Sequence, residues 1–244
     1  MRRRGAVAAV VLVVLGGLAA GCSDLRPPRV PTASSTAPAP EPSLPSTADA
    51  FREARTFALS AGSAHLVGTL GAGRSTVRVD LEGSASAANE RLVRRAPGRG
   101  VAVVLVVGDG HWLAGDAAFW RTRTRSAAAV TARVGRWLPV SAAQASAVGP
   151  ERVRDVLATV FSAPSVAALE GVPDPVVATE VDGRPAWLLG SEARGARVWV
   201  AADSGGEVLR IAVSGERALD LVASGWERAR TWSAPAAGEV PDLG

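Results

Sequence analysis

Short turn sequences join most of the apolar segments of this chain, and this spacing restricts the chain to local, antiparallel strand pairing. Residues 108–110 (GDG), 182–183 (DG) and 203–206 (DSGG) each separate two segments rich in Val, Leu and Ile. Gly and Asp suit tight hairpin turns, whereas a parallel pair needs a crossover of a dozen or more residues. The chain therefore predicts an antiparallel sheet built from hairpins.

Helical patterns precede and interrupt the strands. Residues 47–59 and 150–161 have apolar residues at a spacing of three and four, and Ser46 or Thr47 is a suitable helix cap. The order of elements is helix, antiparallel strands, helices, antiparallel strands, which predicts an α+β fold. Residues 117–121 (AAFWR) and 225–233 are expected to be further strands.

One predicted strand, residues 101–107 (VAVVLVV), is apolar on both of its faces. An exposed apolar face costs about 25 cal/mol per Å², so each face needs a cover. Helices with a second sheet, a protein partner, or an apolar ligand would each supply one, and the sequence leaves all three open.

Residues 1–21 have the pattern of a bacterial export signal that ends at a lipid-attachment cysteine. Residues 2–4 are Arg, residues 6–15 are apolar, and small residues lead to Gly21 and Cys22. Two or more acyl chains anchor a protein stably to a membrane. We therefore expect cleavage between Gly21 and Cys22 and lipidation of Cys22, with an uncleaved membrane-spanning segment or a plain secretion signal as the alternatives.

The composition changes abruptly after the cysteine. Residues 23–46 contain seven Pro and seven Ser or Thr, but no Phe or Trp. Pro favours extended polyproline II structure, so this stretch is predicted to be a semi-stiff tether. The predicted organisation is a signal peptide (1–21), the lipidated Cys22 with its tether (22–46), one folded domain (47–234) and a C-terminal tail (235–244).

The residue types exclude several classes of site. All 27 basic residues are Arg, which excludes chemistry that depends on Lys. The single Cys and two His offer no metal-ligand spacing, and no G-x-S-x-G motif is present. We therefore expect no enzyme activity, no cofactor and no metal.

The charge balance gives no indication of a nucleic-acid partner. Removing the three arginines of the export signal from the 27 leaves 24 basic side chains against 23 acidic ones. The nearest basic cluster, Arg121, Arg123 and Arg125, is interpreted as a solvated face of a strand or loop. We therefore expect no nucleic-acid binding.

Several segments together resemble one bacterial family. They are residues 63–70 (SAHLVGTL), 77–83 (VRVDLEG), 115–120 (GDAAFW), 181–189 (VDGRPAWLL) and 198–200 (VWV) with Arg210 in the next strand. Over about residues 47–232, the pattern resembles the LolA-like actinobacterial lipoproteins of the LppX/LprG type. The resemblance implies an antiparallel β half-barrel with helices packed on its concave face, and an apolar cavity that binds or shuttles lipids or lipoglycans.

We hypothesise from these observations a non-catalytic lipoprotein of the cell membrane that faces away from the cytoplasm. Its ligand would be an acyl lipid or lipoglycan, and a membrane transporter is a possible partner. The alternative is a sensor or protein-interaction module on the same fold. The expected lipid-lining residues are Val77, Val79, Leu81, Val103, Leu105, Leu209 and Ile211.

Overall fold

The computed structural model describes residues 44–84, 88–150 and 152–243. Its helices are α1 (Thr47–Ser60), α2 (Ala117–Arg121), α3 (Ala127–Arg133), α4 (Ala142–Ser146), α5 (Val153–Ser162) and α6 (Pro164–Ala167). Its strands are β1 (Ser63–Leu70), β2 (Val77–Ser84), β3 (Asn89–Ala96), β4 (Gly100–Val107), β5 (Gly110–Gly115), β6 (Leu138–Pro139), β7 (Val177–Val181), β8 (Arg184–Ser191), β9 (Ala196–Ala201), β10 (Val208–Val213) and β11 (Leu219–Ser224). The predicted export signal, Gly21, Cys22 and the tether up to residue 43 lie outside the described residues and stay predictions.

The eleven strands form one open antiparallel sheet. Their order is β6-β5-β4-β3-β2-β1-β11-β10-β9-β8-β7, so only the β1–β11 pair joins strands distant in sequence. From β1 the sheet continues through β2, β3, β4 and β5 to β6 on one side. From β11 it continues through β10, β9 and β8 to β7 on the other side. The antiparallel sheet predicted from the turn spacing is confirmed.

The helices pack on one face of the sheet, here called the inner face. Helix α1 begins where the Ser46 hydroxyl accepts a hydrogen bond from the Asp49 N–H at 3.1 Å. The ring centroids of Phe51 in α1 and Phe161 in α5 lie 5.9 Å apart, and both side chains are fully buried. The predicted α+β fold class, an open antiparallel half-barrel with helices against one face, is confirmed.

Two predicted strands are not strands. Residues 117–121 form helix α2, because the Asp116 carboxylate accepts hydrogen bonds from Phe119 N–H at 2.7 Å and Val101 N–H at 3.0 Å. This cap turns the chain into a helix, although the residues AAFWR suit a strand equally well. Residues 225–233 are irregular, and the last strand of the sheet is β11.

After β11, Trp226 packs against Phe57 of α1, and the chain then passes to the opposite, outer face of the sheet, where the Arg230 N–H donates to Glu82. Residues 230–243 are called the C-terminal segment. Asn89 in β3 exchanges two hydrogen bonds with the backbone of Trp232, at 2.7 and 2.8 Å. Further along β3, the Arg91 and Arg95 guanidinium groups donate to the carbonyls of Asp242 and Leu243. The last twelve described residues are therefore hydrogen-bonded to β3 at both ends, through Trp232 at one end and through Asp242 and Leu243 at the other.

Val93 lies on the outer face between Arg91 and Arg95, which bind the end of the C-terminal segment. The strand register places Val103 opposite Val93, Ala114 opposite Val103, and Leu105 beside them, and all four side chains are buried. Because the bonded ends lie on both sides of Val93, we infer that the C-terminal segment shields this apolar patch. Part of the outer apolar face of β4 is thus covered by the C-terminal segment of the same chain.

Candidate functional site

The interface between the inner face and the helices is the site at which the sequence predicts a lipid cavity. Val79, Leu81 and Ile211 all lie in this interface and are almost fully buried, and Val77 packs against its margin. The residual cavity has a volume of about 10 Å³, too small for more than a single water molecule. Its wall is formed by Leu66, Leu70, Val79, Leu81, Leu92, Pro150, Val156 and Leu221. Between α5 and strands β1, β2, β3 and β11 the interface is therefore closed.

The other predicted lining residues lie elsewhere. Val103 and Leu105 are on the outer face, because β4 is apolar on both sides and its register with β3 assigns them there. Leu209 lies at an irregularity between Val208 and Arg210 and lines an open pocket of about 850 Å³ together with Trp226. The seven residues therefore do not surround one common space.

A buried acid in the interface was not predicted from the sequence. Glu90 in β3 is only 2% exposed, and its Oε1 accepts a hydrogen bond from the Val153 N–H at 2.9 Å. Val153 is the first residue of α5, so the carboxylate also faces the positive end of the helix dipole. Gly83 lies opposite Glu90, and a Cβ there would lie 2.3 Å from the Glu90 Cγ. In the sequence, the burial of Glu90 is indicated only by its position two residues before Leu92, which places both side chains on the same face of the strand.

The two histidines lie on different strands, His65 in β1 and His111 in β5. His65 Nε2 lies 2.8 Å from Asp80 Oδ1 on the outer face, and no Ser or Thr hydroxyl of the described residues is bonded to this ring. His111 Nδ1 lies 3.2 Å from the Asp109 carbonyl oxygen. Among the described residues, no group of three or more His, Cys, Asp or Glu side chains is arranged to hold a metal ion.

The His65–Asp80 pair makes stability depend on pH. The hydrogen bond raises the pKa of His65 above its usual value, although burial opposes the rise, and the same bond lowers the pKa of Asp80. The histidine contribution is complete below the unfolded pKa of about 6.5 and is lost as the pH rises through the folded value. The aspartate contribution is present above its unfolded pKa and is lost as the pH falls through its lower folded value.

We therefore expect the His65→Gln substitution to lower the free energy of unfolding more at pH 5.5 than at pH 8.5. Urea unfolding of the wild-type and variant chains at both values measures the difference. The Asp80→Asn variant removes the partner, so it should show a similar loss at pH 5.5. A loss from His65→Gln that is equal at both pH values would contradict this linkage.

An open groove of about 920 Å³ lies at one end of the sheet. Thr69, Arg78, Arg95 and Val101 cross it as one row on the outer face of β1 to β4, and the turn from Pro97 to Gly100 borders it. Arg74 and Ala118 complete its sides, and none of the described residues that line it is acidic. The arginines of this outer groove can attract an acidic group.

The chain shows a likeness of fold to solved structures only. No protein-family model matches it, and no curated protein matches it. Among solved structures it is similar to LprF from Mycobacterium bovis, with a TM-score of 0.47 and 13% identity over 82% of this chain and 99% of that one. It is also similar to the lipoprotein LppX of Mycobacterium tuberculosis, with a TM-score of 0.41 and 14% identity over 74% of this chain and 94% of that one. The structural neighbours are thus of the type that the sequence resembles. In the described part of the chain, no helix combines the length and apolar character needed to cross a bilayer.

Proposed function

We propose that this chain is a membrane-anchored envelope lipoprotein whose folded domain binds the acyl chains of a lipid between its helices and the inner face of its sheet. The observation that carries the proposal is the composition of that interface. Every side chain around the residual cavity is apolar, and the side chains come from both layers. The export pattern at residues 1–22 supports the membrane location. Transfer of the lipid to another site would be a separate step, and the apolar interface supports binding alone.

Acyl binding requires the two layers to separate. Val156 of α5 and Pro150 before it close the cavity on the helix side, while Leu66 of β1 and Leu81 of β2 close it on the sheet side. Outward movement of α5 would therefore open the space. An acyl chain would replace the helix as the apolar partner of these strands, so the exchange keeps the sheet covered from water. Population of the open form would rise with the lipid, because only that form binds it.

Photo-cross-linking tests where an acyl chain binds. The full chain, produced with its membrane anchor and held in phosphatidylcholine nanodiscs, is irradiated with a diazirine-bearing palmitic acid. We expect cross-links to peptides from β1, β2 and α5, and we expect excess unlabelled palmitic acid to remove them. Cross-links confined to outer-face peptides, or cross-links that competitor does not remove, would contradict the proposal.

Leu81→Ala and Leu105→Ala form a matched pair for the same experiment. Both leucines are buried in neighbouring parts of the sheet, 2% and 4% exposed, but Leu81 faces the helices and Leu105 faces outward. Both substitutions should lower stability by about 2–5 kcal/mol. Only Leu81→Ala should change the yield or position of the competed cross-links, and equal changes in both variants would indicate a general effect of destabilisation instead.

The closed interface favours a second candidate function, a non-catalytic module that binds a protein. A cavity of about 10 Å³ is what a domain with an ordinary packed core contains. In that case the outer groove, which Arg74 and Arg78 line and in which none of the described lining residues is acidic, is the surface suited to an acidic partner. Failure of the cross-linking experiment, together with retention of an acidic partner by wild type and its loss with Arg78→Glu, would favour this function.

A further inference from the structure

The stretch from residue 117 to residue 150 has an unbalanced charge. It contains five arginines, at positions 121, 123, 125, 133 and 136, and no Asp or Glu. In the fold this stretch forms α2, α3, β6 and α4, which cover the β5–β6 edge of the sheet. The arginines therefore lie together in one part of the molecule rather than along one strand.

Two of these arginines and an indole surround a pocket of about 420 Å³ beside β5 and β6. Arg123 lies with its guanidinium carbon 3.9 Å from the Phe119 ring centroid, and Arg133 lies 5.4 Å from the Trp120 ring centroid. Gln144 of α4 borders the same space. The remaining wall is apolar and consists of Leu113, Leu138, Pro139, Val140 and Ala147. We call this space the arginine pocket.

The polar groups of the arginine pocket are donors that lack strong acceptors. The indole Nε1 of Trp120, a side chain only 4% exposed, is buried without a hydrogen-bond partner in the described part of the chain. Arg123 donates only a long bond of 3.4 Å to the neighbouring Thr122 hydroxyl, and neither Arg123 nor Arg133 has a carboxylate partner among the described residues. Gln144 uses its Oε1 to cap α4, which leaves its amide N–H groups as the polar part for the pocket.

The Arg123 side chain is exposed, but partial desolvation and neighbouring positive charge both lower its pKa. Desolvation and, after it, repulsion from Arg94 lower the pKa of Arg123, and desolvation and Arg99 lower the pKa of Arg94. Among the described residues, no carboxylate is paired with Arg94 or Arg123, whereas the outer-face arginine Arg210 has Asp220 at 2.6 Å. An anion in the pocket would relieve the repulsion and accept the unused donors.

We propose that the arginine pocket is a binding site for a phosphate or carboxylate group attached to a small apolar body. Arg123 and Arg133 bind the anionic group from two sides, the Gln144 amide N–H groups complete its hydrogen bonds, and Leu138, Val140 and the Trp120 ring contact the apolar part. A volume of about 420 Å³ is within the range of small-ligand sites. This site is separate from the interface proposed for acyl chains, so each can be present without the other.

Nuclear magnetic resonance of the indole N–H groups tests the site directly. The full chain, labelled with ¹⁵N-Trp and held in phosphatidylcholine nanodiscs, is titrated with butyl phosphate, inorganic phosphate and butanol, and the Trp120→Phe variant assigns the Trp120 signal. We expect butyl phosphate to shift the Trp120 signal in a saturable manner and to bind at least about tenfold more tightly than butanol. Inorganic phosphate lacks the apolar part and should bind more weakly than butyl phosphate. Binding of inorganic phosphate as tight as that of butyl phosphate would show a site for free phosphate and would overturn the apolar part of the proposal.

Arginine variants distinguish specific binding in the arginine pocket from nonspecific electrostatic attraction of the anion to this part of the protein. Arg123→Gln and Arg133→Gln should each weaken butyl phosphate binding about tenfold, and Arg123→Lys should restore part of the loss. Arg125→Gln removes the same charge from an exposed position outside the pocket, so it should change binding less than about twofold. Equal binding of butanol, equal effects of Arg123→Gln and Arg125→Gln, or no shift of the Trp120 signal would overturn the proposal. Preserved dispersion of the other indole signals shows that each variant is folded.

Discussion

A chain that ends at Arg230 is expected to lose about 4–5 kcal/mol of folding free energy relative to the full chain. The deletion removes Trp232, which is bonded to Asn89, and the residues bonded to Arg91 and Arg95. It uncovers the outer-face patch around Val93, and at about 25 cal/mol per Å² an exposed area of about 150–200 Å² accounts for this loss. For a chain of this size the midpoint of thermal unfolding should fall by about 8–20 °C.

Thermal and urea unfolding followed by circular dichroism measure this effect, and binding of a hydrophobic dye reports the uncovered patch. Val240→Ala is the matched control within the deleted segment, because Val240 is 73% exposed and its substitution should cost less than about 0.5 kcal/mol. If the shortened chain unfolds within about 1 kcal/mol of the full chain, the C-terminal segment does not shield Val93, Val103 and Leu105.

Replacing Glu90 with alanine is expected to destabilise the fold by about 2–4 kcal/mol. The substitution leaves the buried Val153 N–H without its acceptor at the start of α5, and it removes buried side-chain volume. Glu90→Gln keeps an oxygen for this N–H and should cost less. Urea unfolding of the three chains at neutral pH measures the order, and a loss from Glu90→Ala no larger than that from Glu90→Gln would show that the hydrogen bond is not the cause.

Gly83 provides an independent test of the same arrangement. A Cβ at this position would lie 2.3 Å from the Glu90 Cγ and 2.7 Å from the Asn89 carbonyl oxygen, so Gly83→Ala should displace the Glu90 side chain and weaken its bond to Val153. In the Glu90→Ala background part of this clash is absent, and Gly83→Ala should then cost less. Additive losses in the double variant would indicate that Gly83 and Glu90 act separately.

Local sequence patterns predicted much of the sheet. In β2 the residues Val77, Val79 and Leu81 alternate with charged residues, and all three face the helices or their margin as one set. The turn at residues 108–109 and the turn at 182–183 join β4 to β5 and β7 to β8 as hairpins. These predictions succeed because a strand's two faces and a tight turn are determined by residues only one or two positions apart.

The candidate sites could not be obtained in this way. Val103 and Leu105 were grouped with Leu81, but the register through Val93 places them on the opposite face. Arg121, Arg123 and Arg125 are exposed, as the interpretation of a solvated face predicts, but only the fold shows that Arg123 lines the same pocket as Arg133. The face of Val103 and Leu105 and the pocket formed by Arg123 and Arg133 depend on how neighbouring strands and helices pack. The residue spacing within a single strand or helix does not determine that packing.

Sequence alone determined that the chain forms antiparallel hairpins with apolar faces, because side-chain alternation and turn chemistry act over a few residues. Only the tertiary structure decided how those faces are covered: helices close over the inner face, Glu90 is held against α5, and the C-terminal segment lies across the outer face. Burial depends on contacts between residues as far as 166 positions apart. The free energy of such contacts belongs to the assembled layers and not to any one segment.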